Sequence, residues 1–561
     1  MRKHLSCCCL CAAAISAAAC GDKLVPSQPE SPVVTLPKPD TTTVTSGLVG
    51  AAELPRLYLN SAAPTAPAAG GTVITVAAGA NLQTALNNAQ PGDVVELATG
   101  ATFTGNFTLP NKNTTSTSWI VIRPSNWSSL PAEGVRMTPG TAARLNLPKI
   151  LTPNTNNAVL MALGAHHYRL VGLEVGVTAS NTYSYAAIAL DGGQLQKTTA
   201  DVPHDIVVDR MFVHGTATGT LRRCVQLNSA TTSIVDSWLS DCHEKGSDSQ
   251  AIASWNGPGP FKIVNNYLEG AGENVMFGGS DPGVPSLTPS DIEIRHNHFT
   301  KPLTWKGLWT IKNLLEIKHA QRVLVEGNIF ENSWTDGQNG TGIVIKSVNQ
   351  NGGCTWCVTQ DVNVRYNIVR NVGAAVNIAG APDNVVPCPC IPARRIAVTD
   401  NVIANINTGP YIGDGRGFAT YGTVTEVLLA HNTMMAPTNS AFVLGPSGTQ
   451  QLGFTARDNL VGGGAYGLLG DNFGGATALA RYAPGGVFLG NVMILANGGS
   501  SFPVGNFYPT NVGAVGFADA ANEDFHLLAS SPYKGKGTDG RDPGANIDTV
   551  NSLTTGVRVA P

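Results

Sequence analysis

One eight-residue template recurs ten times between Tyr168 and Val461, and it restricts the folds open to this chain more than any other feature. It reads apolar, any, apolar, two free positions, usually Asn, any, apolar. The copies are YRLVGLEV, IVVDRMFV, TSIVDSWL, FKIVNNYL, IEIRHNHF, VLVEGNIF, VNVRYNIV, IAVTDNVI, VLLAHNTM and FTARDNLV. Their sixth position holds Leu173, Met211, Ser237, Asn266, Asn297, Asn328, Asn367, Asn401, Asn432 and Asn459, so neighbouring copies stand roughly 26 to 39 residues apart. A period of that length marks stacked structural units, each covering the apolar face of the next.

Apolar residues alternate within each copy, which predicts a short strand with one buried and one exposed face. Between copies lie further strand-like runs, AAIAL, CVQL, AIASW, NVMF, LLEIK, GIVIK, AAVNI and AFVL, and no helical period of comparable strength. Two or three strands per turn without a crossover helix predict an all-β solenoid, a parallel β-helix. The Asn column agrees. Asn tolerates the left-handed backbone of sharp turns, and side-chain amides stacked at the strand spacing of about 4.8 Å can hydrogen-bond along the axis. A β-sandwich also uses Asn at turns, but it does not require a fixed column over so many copies.

Gly reaches 63 of 561 residues and only 13% are charged, which supplies turns and leaves little material for long charged helices. The formal net charge is −3, and no basic stripe or helix is present, which argues against nucleic acid as a partner.

The chain divides into four parts. Residues 1–20 carry Arg2 and Lys3, a short apolar run and then Cys20–Gly21. This stretch resembles a bacterial lipoprotein signal, which implies that Cys20 is lipidated and anchors the protein to a membrane at the outer membrane or cell surface. Ala17 stands where such signals usually place Leu, so an ordinary cleaved signal and secretion form the alternative; both predict export. Residues 21–70 are rich in Pro, Thr, Ser and Ala and are expected to be a disordered linker. The coil is expected over 71–504, opened by a short helix over 82–89 that Asn81 caps. Residues 505–561 lack the repeat and are expected to fold back as a second cap, since bare strand edges at a solenoid end invite aggregation.

Three stretches, GANLQTALNNAQPGDVVELATGATFTGNFTL, WNGPGPFKIVNNYLEGAGENVMFGG and SPYKGKGTDGRDPGAN, resemble right-handed parallel β-helix proteins of the pectate-lyase-like superfamily. More narrowly they are similar to a group of exported bacterial β-helix proteins mostly without an assigned activity. The resemblance spans residues of about 70 to 545 and implies a fold. It leaves chemistry open, because that superfamily includes polysaccharide lyases, glycoside hydrolases, epimerases and adhesins.

Cys224, Cys242, Cys354, Cys357, Cys388 and Cys390 remain besides Cys20 after the signal, an even set that favours disulfides in an exported protein. Cys224 and Cys242 form a plausible bridge. CTWC and CPC follow the second strands of successive turns, so their four thiols are expected side by side, as disulfides or as a tetrahedral zinc site.

Aligning the second strand of each turn predicts the outward side chains. Glu316 and Lys318 project from one turn, Val344 and Lys346 from the next, with Asp191, Asn228, Trp255 and Gly278 in one column and Gln226, Met276 and Asn377 in the parallel one. Lys318 and Lys346 then share a patch, and two adjacent cations are expected to lower each other's proton affinity, as a lysine base requires. That arrangement suits β-elimination on an acidic polysaccharide. Lys318 is the expected base, Lys346 neutralises the carboxylate, and Arg322 or His319 supports the leaving group. Trp255, Gln226, Asn228 and Asn377 are candidate sugar contacts. Glu316, Glu273 and Asp248 are a candidate Ca²⁺ set, the ion that lyases of the resembled superfamily often use. LLEIK also resembles the Glu and Lys strand of the alginate and chondroitin lyase branch. A hydrolase would need paired carboxylates, and no such pair is evident. A non-catalytic glycan-binding or adhesion module is the other alternative. The protein is expected to be a monomer.

Overall fold

Each turn of the chain lays one strand on each of three parallel sheets, in the order sheet 1 (14 strands), sheet 2 (13 strands) and sheet 3 (12 strands), and every strand pairs with its counterpart one turn away. The protein is a right-handed parallel β-helix. The computed structural model describes residues 51–381, 390–445 and 449–559. Residues 1–20 with Cys20, most of the expected linker, and Cys388 lie outside them. Among the described residues no helix is long and apolar enough to cross a membrane.

The repeated template proves to be two strands and the corner between them. In FKIVNNYL, for example, Gly259–Val264 lies on sheet 1 and Tyr267–Gly270 on sheet 2. The left-handed corner residue is the one before the column: Asn265, His296, Tyr366, Asp400, His431 and Asp458 all have φ between 51° and 58°. The Asn column serves a different purpose, because its amides bond from turn to turn. Asn266, Asn297, Asn328, Asn367, Asn401, Asn432 and Asn459 each donate Nδ2 to the next Oδ1 at 2.8–3.1 Å, and the series continues through Asn491 to Asn506. Each Oδ1 also accepts the backbone N–H of the preceding column residue. The earlier turns close the same gap with other groups, Ser237 Oγ taking the Met211 N–H at 3.0 Å.

Inside the coil, identical registers stack like side chains. Ile263, Ile294, Val325, Val364, Val398 and Leu429 form one row with at most 1% exposure. Each such burial contributes roughly 1.5–3 kcal/mol, and no rung has a core without its neighbours. Helix α1 (Leu82–Asn88), with Asn81 Oδ1 accepting the Thr84 N–H, buries Leu82, Ala85 and Leu86 against the first turns. The C-terminal segment folds back along the flank. Its hairpin (Phe517–Asp519 and Asp524–Leu527) and helix Ile547–Thr554 pack Val515, Phe525, Ile547 and Val550 on Val402, Leu460 and Val492 of sheet 2.

The expected linker needs one correction. From residue 52 onward it lies along sheet 1, running from the later turns to the first, because outward polar side chains satisfy its extended backbone. The Glu53 N–H donates to Asp361 Oδ1 (3.1 Å) and the Arg56 N–H to Asp291 Oδ1 (2.8 Å). Lys262 reaches Leu59 O and Ser61 Oγ, Arg169 reaches Ala63 O, and Ala68 N–H donates to Gly92 O.

Two disulfides lie wholly within the described residues. Cys224–Cys242 joins a sheet 3 strand to a sheet 2 strand within the coil, and Cys354–Cys357 closes the CTWC turn. Cys390 is disulfide-bonded as well. Bonded sulfurs offer no thiolates to a metal, so Cys354, Cys357 and Cys390 do not supply the zinc alternative as they stand, and Cys388 lies outside the described residues.

Candidate functional site

Sheet 3 builds the site by register. Strands Glu273–Phe277, Asn313–Ile317, Thr341–Lys346, Ala374–Ala379 and Phe418–Tyr421 pair so that Met276, Glu316, Val344, Asn377 and Ala419 fall in one row. Lys346, Ala379 and Tyr421 form the row beside it, and Glu273 and Asn313 lie on the other side.

Glu316 is the centre of a buried charge cluster. Its Oε1 lies 2.9 Å from Lys346 Nζ and 3.5 Å from Lys318 Nζ, and Oε2 accepts Asn313 Nδ2 at 3.3 Å. Asn313 Nδ2 also donates to Gln338 Oε1 (2.7 Å). Glu273, equally buried, accepts Gln250 Nε2 at 2.7 Å, hydrogen-bonds Glu316, and has Lys312 Nζ at 3.8 Å. Burial and then the neighbouring Glu316 charge push Glu273 up to about 8, so it keeps its proton at neutral pH. Burial works against ionised Glu316 too, but Lys318 and Lys346 outweigh it and hold that carboxyl well below the usual range. The pair is therefore one carboxylic acid beside one carboxylate.

The same arrangement reverses the expected behaviour of Lys318. Burial works to strip its proton, but Glu316, Glu273 and Asp248 prevail and hold the ammonium above its ordinary value. Two lysines lower each other only when nothing anionic stands between them, and Glu316 does.

A cleft of about 410 Å³ opens on this wall, lined among others by Lys346, Tyr421, Asn377, Asn339, Gln338 and Asn313. Among the described residues of that lining Lys346 is the cation, and there is no carboxylate. Arg416 Nη1 donates to Tyr421 Oη, while burial, opposed by that arginine, keeps the phenol above its ordinary value.

The other sequence candidates lie elsewhere. His319 is buried past the corner, with Nε2 donating to Leu287 O (2.9 Å) and Nδ1 accepting the Val358 N–H (3.1 Å). Arg322 sits on sheet 1 in a two-point pair with Asp291 at 2.8 and 3.0 Å. Neither reaches the cleft, because the chain turns a corner directly after Lys318. Gln226 donates to Asp191, and Asn228 Oδ1 accepts the Trp255 and Asn256 N–H groups at 2.8 and 3.0 Å. Both are fully buried and hold turns rather than sugar. Trp255 packs with the Arg223 guanidinium 5.2 Å from its ring centroid. Of the four sugar-contact candidates, Asn377 lines the cleft.

The carboxylates do not fit Ca²⁺. That ion takes six to eight oxygen ligands. Here Glu273 is protonated, Glu316 is held by two lysines, and Asp248 is paired with Lys312.

Sequence reasoning missed Tyr421, which the FATY strand places in the Lys346 row. It also missed Lys301, wholly buried, whose Nζ donates to Gly272 O and Asn274 Oδ1 (3.2 and 2.9 Å). Burial pushes Lys301 down to about 7, with Glu273 opposing.

No family model and no curated protein matches this sequence. Among solved structures, the chain is similar to alginate lyase AlyGC of the PL6 family (13% identity, TM-score 0.47), covering 87% of this chain and 59% of that one. It is also similar to a mannuronic acid specific polysaccharide family 6 lyase from human gut microbiota (14%, TM-score 0.44; 79% and 92% covered). A third is pectate lyase Pel9A (13%, TM-score 0.36; 87% and 97% covered). The parallel β-helix expected from the sequence is the fold observed.

Proposed function

We propose that this chain is an exported protein that binds an acidic polysaccharide in the sheet 3 cleft and cleaves it by β-elimination. The observation that carries this reading is the cleft lining, which among the described residues holds one lysine, one tyrosine and several neutral amides, and no carboxylate. No carboxylate pair of the kind that hydrolysis uses stands among those described lining residues. The amides of Asn339, Asn377 and Gln338 are suited to take the uronate carboxylate and stabilise the charge that spreads onto it as C5 loses its proton. Lys346 Nζ, an ammonium while it is paired with Glu316, first releases its own proton to solvent and then takes this one, so the rate should climb with pH. The C4–C5 double bond forms, the C4–O bond breaks, and the leaving oxygen takes the Tyr421 hydroxyl proton; solvent then returns a proton from Lys346 to Tyr421. Lys318 does not line the cleft. Its part is to keep Glu316 paired while Lys346 changes charge, so the role of base passes from Lys318 to Lys346. The oxidised Cys224–Cys242 and Cys354–Cys357 pairs support export, to the cell surface through Cys20 or to the medium.

The test is incubation of the full chain with polygalacturonate, alginate and glycosaminoglycans while following the ultraviolet absorbance of unsaturated uronate ends. Lys346→Ala and Tyr421→Phe should each lower the rate by about 100-fold or more. Absorbance that persists in Lys346→Ala overturns the assignment. New reducing ends without absorbance identify a hydrolase, and saccharide binding without either identifies a binding module.

A further inference from the structure

A second constellation lies on sheet 1 near the N-terminal end of the coil. Strands His166–Val171 and His204–Asp209 pair in parallel with His204 directly against His166 and Ile206 against Tyr168. The residues between those pairs, His167 and Asp205, both adopt the left-handed conformation, with φ of 58° and 52°. A left-handed residue breaks strand alternation, so each pair of consecutive side chains converges. His166 and His204 stack with ring centroids 4.8 Å apart, His166 Nδ1 lies 2.7 Å from His167 Nδ1, and His204 Nδ1 lies 2.6 Å from Asp205 Oδ2. One ligand atom from each of His167, His204 and Asp205 falls within 4.8 Å of the others.

We propose that His167, His204 and Asp205, with His166 as the fourth donor, bind a divalent transition-metal ion of the Zn²⁺ class.

Two features support this. First, His166 Nε2 is turned to Thr114 O at 2.9 Å, where it donates; the Nδ1 lone pair is thereby directed at His167. A ligating histidine is commonly oriented in this way by a hydrogen bond from its other nitrogen. Second, no cation competes for the carboxylate. Further along the same column of left-handed residues, Asp291 is paired with Arg322 and Asp361 with Arg395. No lysine or arginine among the described residues pairs with Asp205. The donor atoms, three imidazole nitrogens and one carboxylate oxygen, are those that Zn²⁺ accepts in tetrahedral array.

Two other groupings lack these features. Beside His319, the sulfurs of Cys354 and Cys357 are bonded to each other. Beside His431, Asp458 takes Thr538 and Arg457 donors and Asp539 takes Arg541.

Equilibrium dialysis of the full chain against Zn²⁺, with Co²⁺ as a visible-absorbing probe, tests the proposal. One equivalent should bind, and His204→Ala and Asp205→Asn should each weaken binding at least roughly tenfold while the far-ultraviolet circular dichroism stays that of the parent. Asn is chosen at 205 because it accepts the left-handed backbone. Binding that is absent, that survives both substitutions together, or that is lost in His431→Ala instead overturns the proposal. Should a variant unfold, histidine-specific ¹H–¹⁵N shifts of the parent on Zn²⁺ addition decide: perturbation of His166, His167 and His204 sustains it, and their silence refutes it.

Discussion

Asn328→Ala is the sharpest test of what holds the coil together. Asn328 is completely buried, and its Oδ1 accepts both the Asn297 N–H and Asn297 Nδ2, at 2.9 and 3.1 Å. Its Nδ2 donates to Ile294 O and to Asn367 Oδ1, each at 2.9 Å. Alanine leaves the Asn297 N–H facing a space without an acceptor, at a cost of about 1–3 kcal/mol, and removes three further bonds of about 1 kcal/mol each. The sum is roughly 4–6 kcal/mol before any relaxation, large against the whole stability of a domain. Asn506 ends the series at the rim and is half-buried, so water can replace its amide; Asn506→Ala should cost less than about 1.5 kcal/mol. Equilibrium urea unfolding of the full chain measures both, with amide exchange to locate the loss, because repeat arrays need not unfold in one step. The exchange should quicken in the turns carrying Asn297 and Asn367. A cost for Asn328→Ala below about 1 kcal/mol, or equal to that of Asn506→Ala, would refute the view that this column carries the stacking energy.

Two further outcomes follow from buried groups. Burial pushes Glu269 up to about 7, against a hydrogen bond from Tyr267. The folded chain keeps this proton while the unfolded chain releases it near 4.5, so the contribution is present in full below that pH and is lost as pH rises through about 7. Stability should therefore fall by roughly 3 kcal/mol across that window on this account, and Glu269→Gln should flatten urea midpoints measured from pH 5 to 8; an unchanged slope rejects the assignment. Opening Cys224–Cys242, a separation of 18 residues, with Cys242→Ser should cost about 3 kcal/mol. The matching Cys357→Ser, which opens a separation of 3, should cost clearly less, and the reverse ranking in thermal melts would contradict the loop-closure argument.

Much of this architecture was legible because a solenoid converts sequence period directly into spatial register. Glu316 and Lys346 fall on neighbouring rungs since each turn contributes one strand to sheet 3, and no long-range folding decision intervenes. Asn491 and Asn506 escaped notice because LGNVM and VGNFY keep the Asn but not the full apolar frame. What alternation cannot count is corners. His319 and Arg322 follow Lys318 within four positions, yet a change of sheet separates them from the cleft. Alternation also places His166 and His167 on opposite faces, and the left-handed backbone at His167 undoes that rule. Nor does period show that a carboxylate will lie between two lysines, which decides the sign of the Lys318 shift.

The strap along sheet 1 has a mechanical meaning. A pull on the chain ahead of residue 52 is delivered first beside Asp361, far along the coil from its first strand at Val73–Val76. The attachments at Asp361, Asp291, Lys262 and Arg169 would then give way one after another, each alone under load, as tape peels. Traction would reach the N-terminal rung and its helix only after release had travelled back to Ala68, so a protein held by its leading end would yield slack before it yielded structure.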